Sequence, residues 1–147
     1  MEVIEHAFSE KKIGNSNLQF KNVFIKSATF EGMLENGIPG NDFIDHHVAM
    51  AKGDVALTTV SYGAVSADAR TFAEQMYIND LSLKALKVLA DEVHESGGKV
   101  SMQLTHCGYF SKNKNLSHPL APSRVFNAYG FLSGLMFSKA MTSQRQH

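Results

Sequence analysis

Residues 97–110, GGKVSMQLTHCGYF, join a strand-like run to a cluster of groups that could do chemistry. Val100, Met102 and Leu104 carry the apolar content, and Gln103, Thr105, His106 and Cys107 crowd the end of the run. A primary amide inside an apolar stretch must find partners or cost about 1–3 kcal/mol. Gln103 therefore calls for either a core hydrogen-bond partner or a flat ligand that presents adjacent donor and acceptor groups. His106 beside Cys107 hints at a thiol nucleophile, but neighbouring side chains on a strand point to opposite faces, so the imidazole is badly placed to take the thiol proton. A small buried thiol is the simpler reading of Cys107. His46 and His47 project about 100° apart on a helix, a poor chelating pair, and His47 falls on the apolar face as a packing residue. His94 suits the negative end of its helix dipole, and Asp68 and Arg70 read as a solvated loop pair, with a reach toward the rim of the site as the alternative. Gly32, Gly37, Gly40 and Gly53 do not form a G-x-G-x-x-G loop after a strand, which leaves a Rossmann dinucleotide site without support.

The elements that must carry these residues alternate regularly. The first twenty-two residues read as an opening β-ribbon, with Phe8, Ile13, Leu18 and Phe20 as apolar positions and GNSN at 14–17 as the turn. VFIKS (23–27) is a short strand followed by a Gly- and Asn-rich loop containing Pro39. Asn41 or Asp42 caps a helix running to Lys52 that places Phe43, His47, Met50 and Ala51 on one face. VALTTV (55–60) has the apolar, β-branched character of a strand covered on both faces. Asp80 caps a helix from Leu81 to Ser96 with Leu86, Leu89, Ala90 and Val93 as its buried stripe, and Gly97 and Gly98 end it. Strand starts near 23, 55 and 99 give repeats of 32 and 44 residues by subtraction. Those are βαβ spacings, which imply parallel strands. Each strand then ends in small or polar groups: Ser27 and Thr29, then Thr58, Thr59 and Ser61, then Gln103, Thr105 and His106. In parallel α/β architectures ligands bind at the carboxyl ends of the strands. For Thr58 and Thr59 ordinary β-former chemistry is the better explanation.

Composition narrows the function classes. With 147 residues, 44% hydrophobic and 19% charged, the chain is about one globular domain long and is not a disordered sequence. Fourteen basic residues balance fourteen acidic ones, so no field favours a nucleic acid or an anionic membrane surface. A single cysteine forms no internal disulfide, the first residues lack the pattern of a secretory signal, and no apolar run reaches the roughly 20 residues of a membrane span. A cytoplasmic protein is the expectation.

The stretch KNVFIKSATFEGMLENGIPGNDFIDHHVAMAKGDVALTTVSYGAVSADAR, with HESGGKVSMQLTHCGY and APSRVFNAYG after it, resembles the amino-terminal part of the Old Yellow Enzyme family of FMN-dependent NADH:flavin oxidoreductases. The resemblance covers residues 8–142 and implies an α/β fold, namely part of a TIM (β/α)8 barrel. That part holds the first three parallel strands and two helices, with an N-terminal β-hairpin. Residues 1–147 then form an incomplete N-terminal portion of a single FMN-binding domain. The implied activity is hydride transfer from NADH or NADPH to FMN and on to a small-molecule acceptor such as an activated alkene. Matched by position, Ser27, Ala28 and Thr29 touch the flavin largely through backbone, Tyr62 passes the isoalloxazine, and the amide of Gln103 pairs with its pyrimidine edge. No metal ligand and no catalytic residue is assigned; His106 shapes its loop. Phe30 stands where many members place a Cys or Thr that bonds the flavin carbonyl, and Tyr109 where an Arg often follows.

The resemblance also implies that the substrate-gripping histidine pair, the catalytic tyrosine, a lysine or arginine near the flavin and the phosphate-binding loops all lie beyond residue 147. The family continues into a third barrel helix where this chain ends in SQRQH, so the expectation is a truncated or prematurely terminated member. A catalytically silent remnant or oligomerising module is the alternative. Phe131, Leu132, Leu135, Met136 and Phe137 are expected to be exposed beside an unpaired strand edge, favouring self-association or docking of the remaining barrel. Light scattering should accordingly show species larger than the monomer; a monodisperse monomer with one cooperative unfolding transition contradicts the expectation.

Overall fold

The computed structural model describes residues 2–142; Met1 and the terminal SQRQH stretch, 143–147, lie outside the described residues. In chain order the elements are α1 (Glu2–Ala7), β1 (Lys11–Lys12), β2 (Gln19–Phe20), β3 (Ile25–Lys26), β4 (Leu34–Glu35), β5 (Ile38–Pro39), α2 (Asn41–Lys52), β6 (Leu57–Ala64), α3 (Asp80–Glu95), β7 (Lys99–Thr105), β8 (Leu120–Ala121) and β9 (Lys139–Ala140). They divide into two compact units, the first built from 1–33, 39–62 and 83–103, the second from 34–38, 63–82 and 104–147.

The first unit contains the parallel layer. β6 lies between β3 and β7. β3 runs parallel to β6, with Ile25 opposite Leu57 and Lys26 opposite Thr58. β7 ascends with β6 as well: the Lys99 N–H bonds the Ala56 carbonyl at 2.9 Å within the first unit, and within the second Val65 N–H, just past β6, bonds the Thr105 carbonyl at 3.0 Å. The three parallel strands, the two helices α2 and α3, and the antiparallel β1–β2 ribbon follow the sequence reading. α2 buries Phe43, Ile44, His47, Val48 and Ala51, and α3 buries Leu89 and Val93. Each of these side chains larger than alanine, His47 aside, contributes about 1.5–3 kcal/mol when taken out of water. Lys21 donates from Nζ to the Ala51 carbonyl at 2.7 Å, setting a cation on the negative end of α2. Asn22, buried, ties the same end by donating to the Asp54 carbonyl at 2.6 Å.

Several boundaries differ from the sequence reading. α3 is capped by Asn79, whose Oδ1 accepts from the N–H groups of Leu81 and Ser82 at 2.9 and 3.1 Å; Asp80 is already inside the helix. β6 runs on to Ala64, where SYGA looked like loop, because Ala64 N–H and carbonyl bond Met76 and Ile78, each at 2.9 Å. β3 contracts to two residues, since the N–H of Phe24 is taken by the Asn22 side chain at 2.9 Å. Asn36 and Gly37, with φ of 53° and 77°, turn the predicted loop into the β4–β5 pair, an Asn-Gly hairpin signal passed over in the sequence. Helix α1 was not foreseen either.

In the second unit, side chain to backbone bonds join the backbone pairings that tie its loops. Gln75, buried, accepts from Thr71 N–H at 2.6 Å, and Asn127, also buried, donates to the Ser111 carbonyl and accepts from Gly130 N–H, each at 2.8 Å. Buried loop backbone needs such partners. Phe131, Leu132, Met136 and Phe137 are exposed as expected, Leu132 at 95%, but Leu135 is buried at 3% and drops out of that surface. Its N–H is fixed on the Gly130 carbonyl at 3.0 Å, which turns the side chain into the unit's core.

Gly98 directly precedes β7 where the chain touches both helices: a Cβ there would lie 2.6 Å from Ala51 Cβ and 3.3 Å from Val93 Cγ1. Gly98→Ala should lower stability by about 1–3 kcal/mol through overpacking, read as a reduced urea midpoint; an unchanged midpoint would show that the contact is relaxed elsewhere.

Candidate flavin-ring site

The five residues expected to form a site all belong to the first unit. Parallel pairing sets them along one end of the sheet: Ser27–Thr29 directly follow β3, Tyr62 lies near the end of β6 and Gln103 near the end of β7. Ser27, Thr29 and Gln103 are exposed, while Ala28 and Tyr62 are half-buried. Thr29 Oγ1 donates to the Ser27 carbonyl at 3.3 Å, stiffening the turn after β3. The rings of Phe30 and Tyr62 approach with centroids 6.2 Å apart. Thr59 and Ser101 hydroxyls meet at 2.9 Å across β6 and β7, and strand alternation puts Gln103 on the same face as Ser101.

The carboxamide of Gln103 differs from expectation. It is exposed rather than buried, and no described side chain or backbone group hydrogen-bonds it. The burial penalty inferred from the apolar run does not apply here. What stands is an amide with donor and acceptor both available, above a floor of two small hydroxyl residues. That set fits the edge of a flat heterocycle with alternating acceptors and donors, the ring of a flavin; a cavity of about 580 Å³ bounded by Ser117, His118, Arg124 and residues 134–140 contains none of the five.

On the opposite face of β6 a second polar group is packed beneath the site. Thr58, 1% exposed, shares a 2.6 Å hydrogen bond with His47 Nδ1, so Thr58 is explained by packing rather than ligand binding. His47 Nε2 lies 3.7 Å from Glu31 Oε1, too far for a hydrogen bond. Burial pulls the imidazole from 6.5 to about 4, against the opposing pull of Glu31 and with smaller help from Lys26 and His46. His47 is therefore neutral at pH 7, and its approach to Glu31 is not an ion pair there. Lys26 and Glu31, by contrast, meet at 2.7 Å with side chains 15% and 5% exposed. Sequence reasoning missed this pair; the available signal was a lysine ending an apolar strand, five residues before a glutamate in an otherwise apolar and small-residue turn.

The remaining sequence candidates have structural roles. Cys107 is half-buried, its thiol donates to the Arg70 carbonyl at 3.0 Å, and burial pushes its pKa up, so it is a poor nucleophile. Arg70 bonds the carbonyls of Ala67 and Ala73 and lies over the Tyr77 ring at 4.9 Å. Among the described residues no helix is long and apolar enough to cross a membrane.

Residues 7–145 match the NADH:flavin oxidoreductase / NADH oxidase family. The chain belongs to that family. It is 36% identical over 120 residues to the 4,4'-dithiodibutanoate disulfide reductase of Rhodococcus erythropolis, covering 80% of this chain and 30% of that protein. It is 29% identical over 102 residues to an NADPH dehydrogenase of Listeria welshimeri, covering 69% and 30%. Among solved structures, an Old Yellow Enzyme from Pichia sp. AKU4542 superposes with a TM-score of 0.82 at 20% identity, over 95% of this chain and 38% of that one. The chain thus spans about a third of the length of the relatives it matches. The fold is that of the corresponding part of an Old Yellow Enzyme barrel, and the family's cofactor is FMN, with a reduced nicotinamide as electron donor.

A histidine with a depressed pKa takes up its proton more readily in the unfolded chain, so folding loses stability as pH falls from about 6.5 to about 4. The contribution of His47 to that loss should be on the order of 2–3 kcal/mol. Urea titrations of wild type and His47→Gln from pH 8 to pH 4 should converge toward the acid end; parallel curves would contradict a neutral buried imidazole.

Proposed function

We propose that this chain supplies the flavin-ring part of an FMN-dependent NAD(P)H oxidoreductase domain, the N-terminal portion of a (β/α)8 barrel. The observation that carries the reading is the available Gln103 carboxamide at the carboxyl end of a parallel strand, in line with the Ser27–Thr29 turn and Tyr62 on the neighbouring strands. Membership of a flavin oxidoreductase family supports it.

In this reading the Gln103 amide donates to and accepts from the pyrimidine edge of the ring, fixing its rotation in the plane of the strand ends. Ser27, Ala28 and Thr29 offer backbone groups to the same ring, and the half-buried Tyr62 borders it. The Phe30 ring, packed near Tyr62, gives that side an apolar wall that excludes water. Bound FMN would carry a hydride from NADH or NADPH to a small-molecule acceptor. The ring contacts alone must offset the cost of ordering the ligand, so affinity in the isolated chain is weak.

A second reading, an oligomerising module without chemistry, draws on the exposed Phe131, Leu132, Met136 and Phe137. Titration of the full chain with FMN separates the two. Quenched flavin fluorescence that weakens about tenfold, roughly 1.4 kcal/mol, in Gln103→Leu supports the flavin reading; no quenching at millimolar FMN favours the silent module.

A further inference from the structure

Lys26 and Glu31 bracket the turn that faces the site. Lys26 is the last residue of β3 and Glu31 follows Phe30, so their 2.7 Å contact ties together the two ends of the segment 27–30. Within that loop Ser27, Thr29 and Phe30 are exposed and Ala28 is half-buried, Thr29 Oγ1 bonds the Ser27 carbonyl and the Phe30 ring approaches Tyr62. The Lys26 ammonium also lies 3.4 Å from the carbonyl oxygens of Ser27 and Thr59. One cation thereby joins the start of the loop, its end and the neighbouring strand.

A buried ion pair is a poor source of net stability, because desolvation consumes most of the attraction and a hydrophobic pair of similar volume does as well. What it supplies is direction: ammonium and carboxylate satisfy each other only in a narrow set of geometries. The surroundings keep the pair intact. His47, fully buried against Thr58, presents Nε2 to Glu31 at 3.7 Å, and the His46 ring lies 5.3 Å from that of His47. Lys26, Glu31, His46 and His47 are the titratable groups at this point. With His47 neutral, Glu31 has Lys26 as its one charged partner in the cluster.

We propose that the Lys26–Glu31 pair is a positioning clamp that holds the backbone of Ser27–Phe30 in the conformation that meets the flavin ring. The proposal rests on the flavin reading for its purpose, while the ordering of the loop is a property of the chain alone. Neither residue is catalytic.

The test compares the full-length wild type, Glu31→Gln, Lys26→Met and the conservative Lys26→Arg. Backbone amide order parameters for residues 27–30 should fall from the rigid range near 0.85 to below about 0.6 in E31Q and K26M, and stay near wild type in K26R. Amides of α3 should not change. In parallel, FMN affinity should drop about tenfold in E31Q and K26M, with the shift in the visible flavin spectrum lost, and K26R should retain both. Leu89→Ala, which loosens the core at a distance, should lower the unfolding midpoint yet leave the loop's order intact. Unchanged order of 27–30 in folded E31Q or K26M overturns the clamp, and Lys26→Gln serves if either fails to fold. A wild type that binds no FMN sinks the flavin reading instead, while the order parameters still decide the clamp.

Discussion

The parallel pairing of Ile25–Lys26 with Leu57–Thr58 is the constraint from which the rest follows. Parallel strands cannot be joined by a tight hairpin; each needs a crossover long enough to return the chain to the same end of the sheet. Here the crossovers contain α2 and α3, which bury one stripe each and leave the strand ends to converge. Ser27–Thr29, Tyr62 and Gln103 are therefore neighbours through backbone geometry, with no direct side-chain bond needed among them. The family match and the superposition on an Old Yellow Enzyme place the chain in the same architecture.

The two faces of β6 divide the work. On one, Thr59 and Ser101 bond each other and form a small polar floor for Gln103. On the other, Thr58 is locked to His47, and Lys26 and Glu31 close the turn after β3. Alternation by a single residue sends Thr58 and Thr59 to opposite faces of the strand. This explains why the adjacent threonines at 58 and 59 have unrelated partners, and why a neutral buried histidine sits below a site to which it contributes no atom.

Periodicity was the part of the sequence most directly readable. Phe43, His47 and Ala51 share a buried face at helical spacing, and the 32- and 44-residue repeats required parallel strands, because both signals reflect local geometry. Burial of Gln103 was misread because an apolar run signals a strand without showing which faces are covered, and here Leu104 is exposed as well as Gln103. The strand character of SYGA was hidden since its partner, the segment at Met76–Ile78, is distant in sequence and carries no pattern of its own. Lys26 and Glu31 were passed over for a different reason: charged residues are almost always solvated, and only the fold shows that this pair is enclosed. The identity of the ring ligand was suggested by family resemblance, and residue chemistry by itself reached no further than a flat donor and acceptor partner.

The most direct measurement is a two-dimensional 15N–1H spectrum of the full chain titrated with FMN. The account predicts that the side-chain amide of Gln103 and the backbone amides of Ser27, Ala28, Thr29 and Tyr62 shift together along one binding curve. Shifts confined to the cavity formed by Ser117, His118, Arg124 and residues 134–140, or none at all, would contradict it.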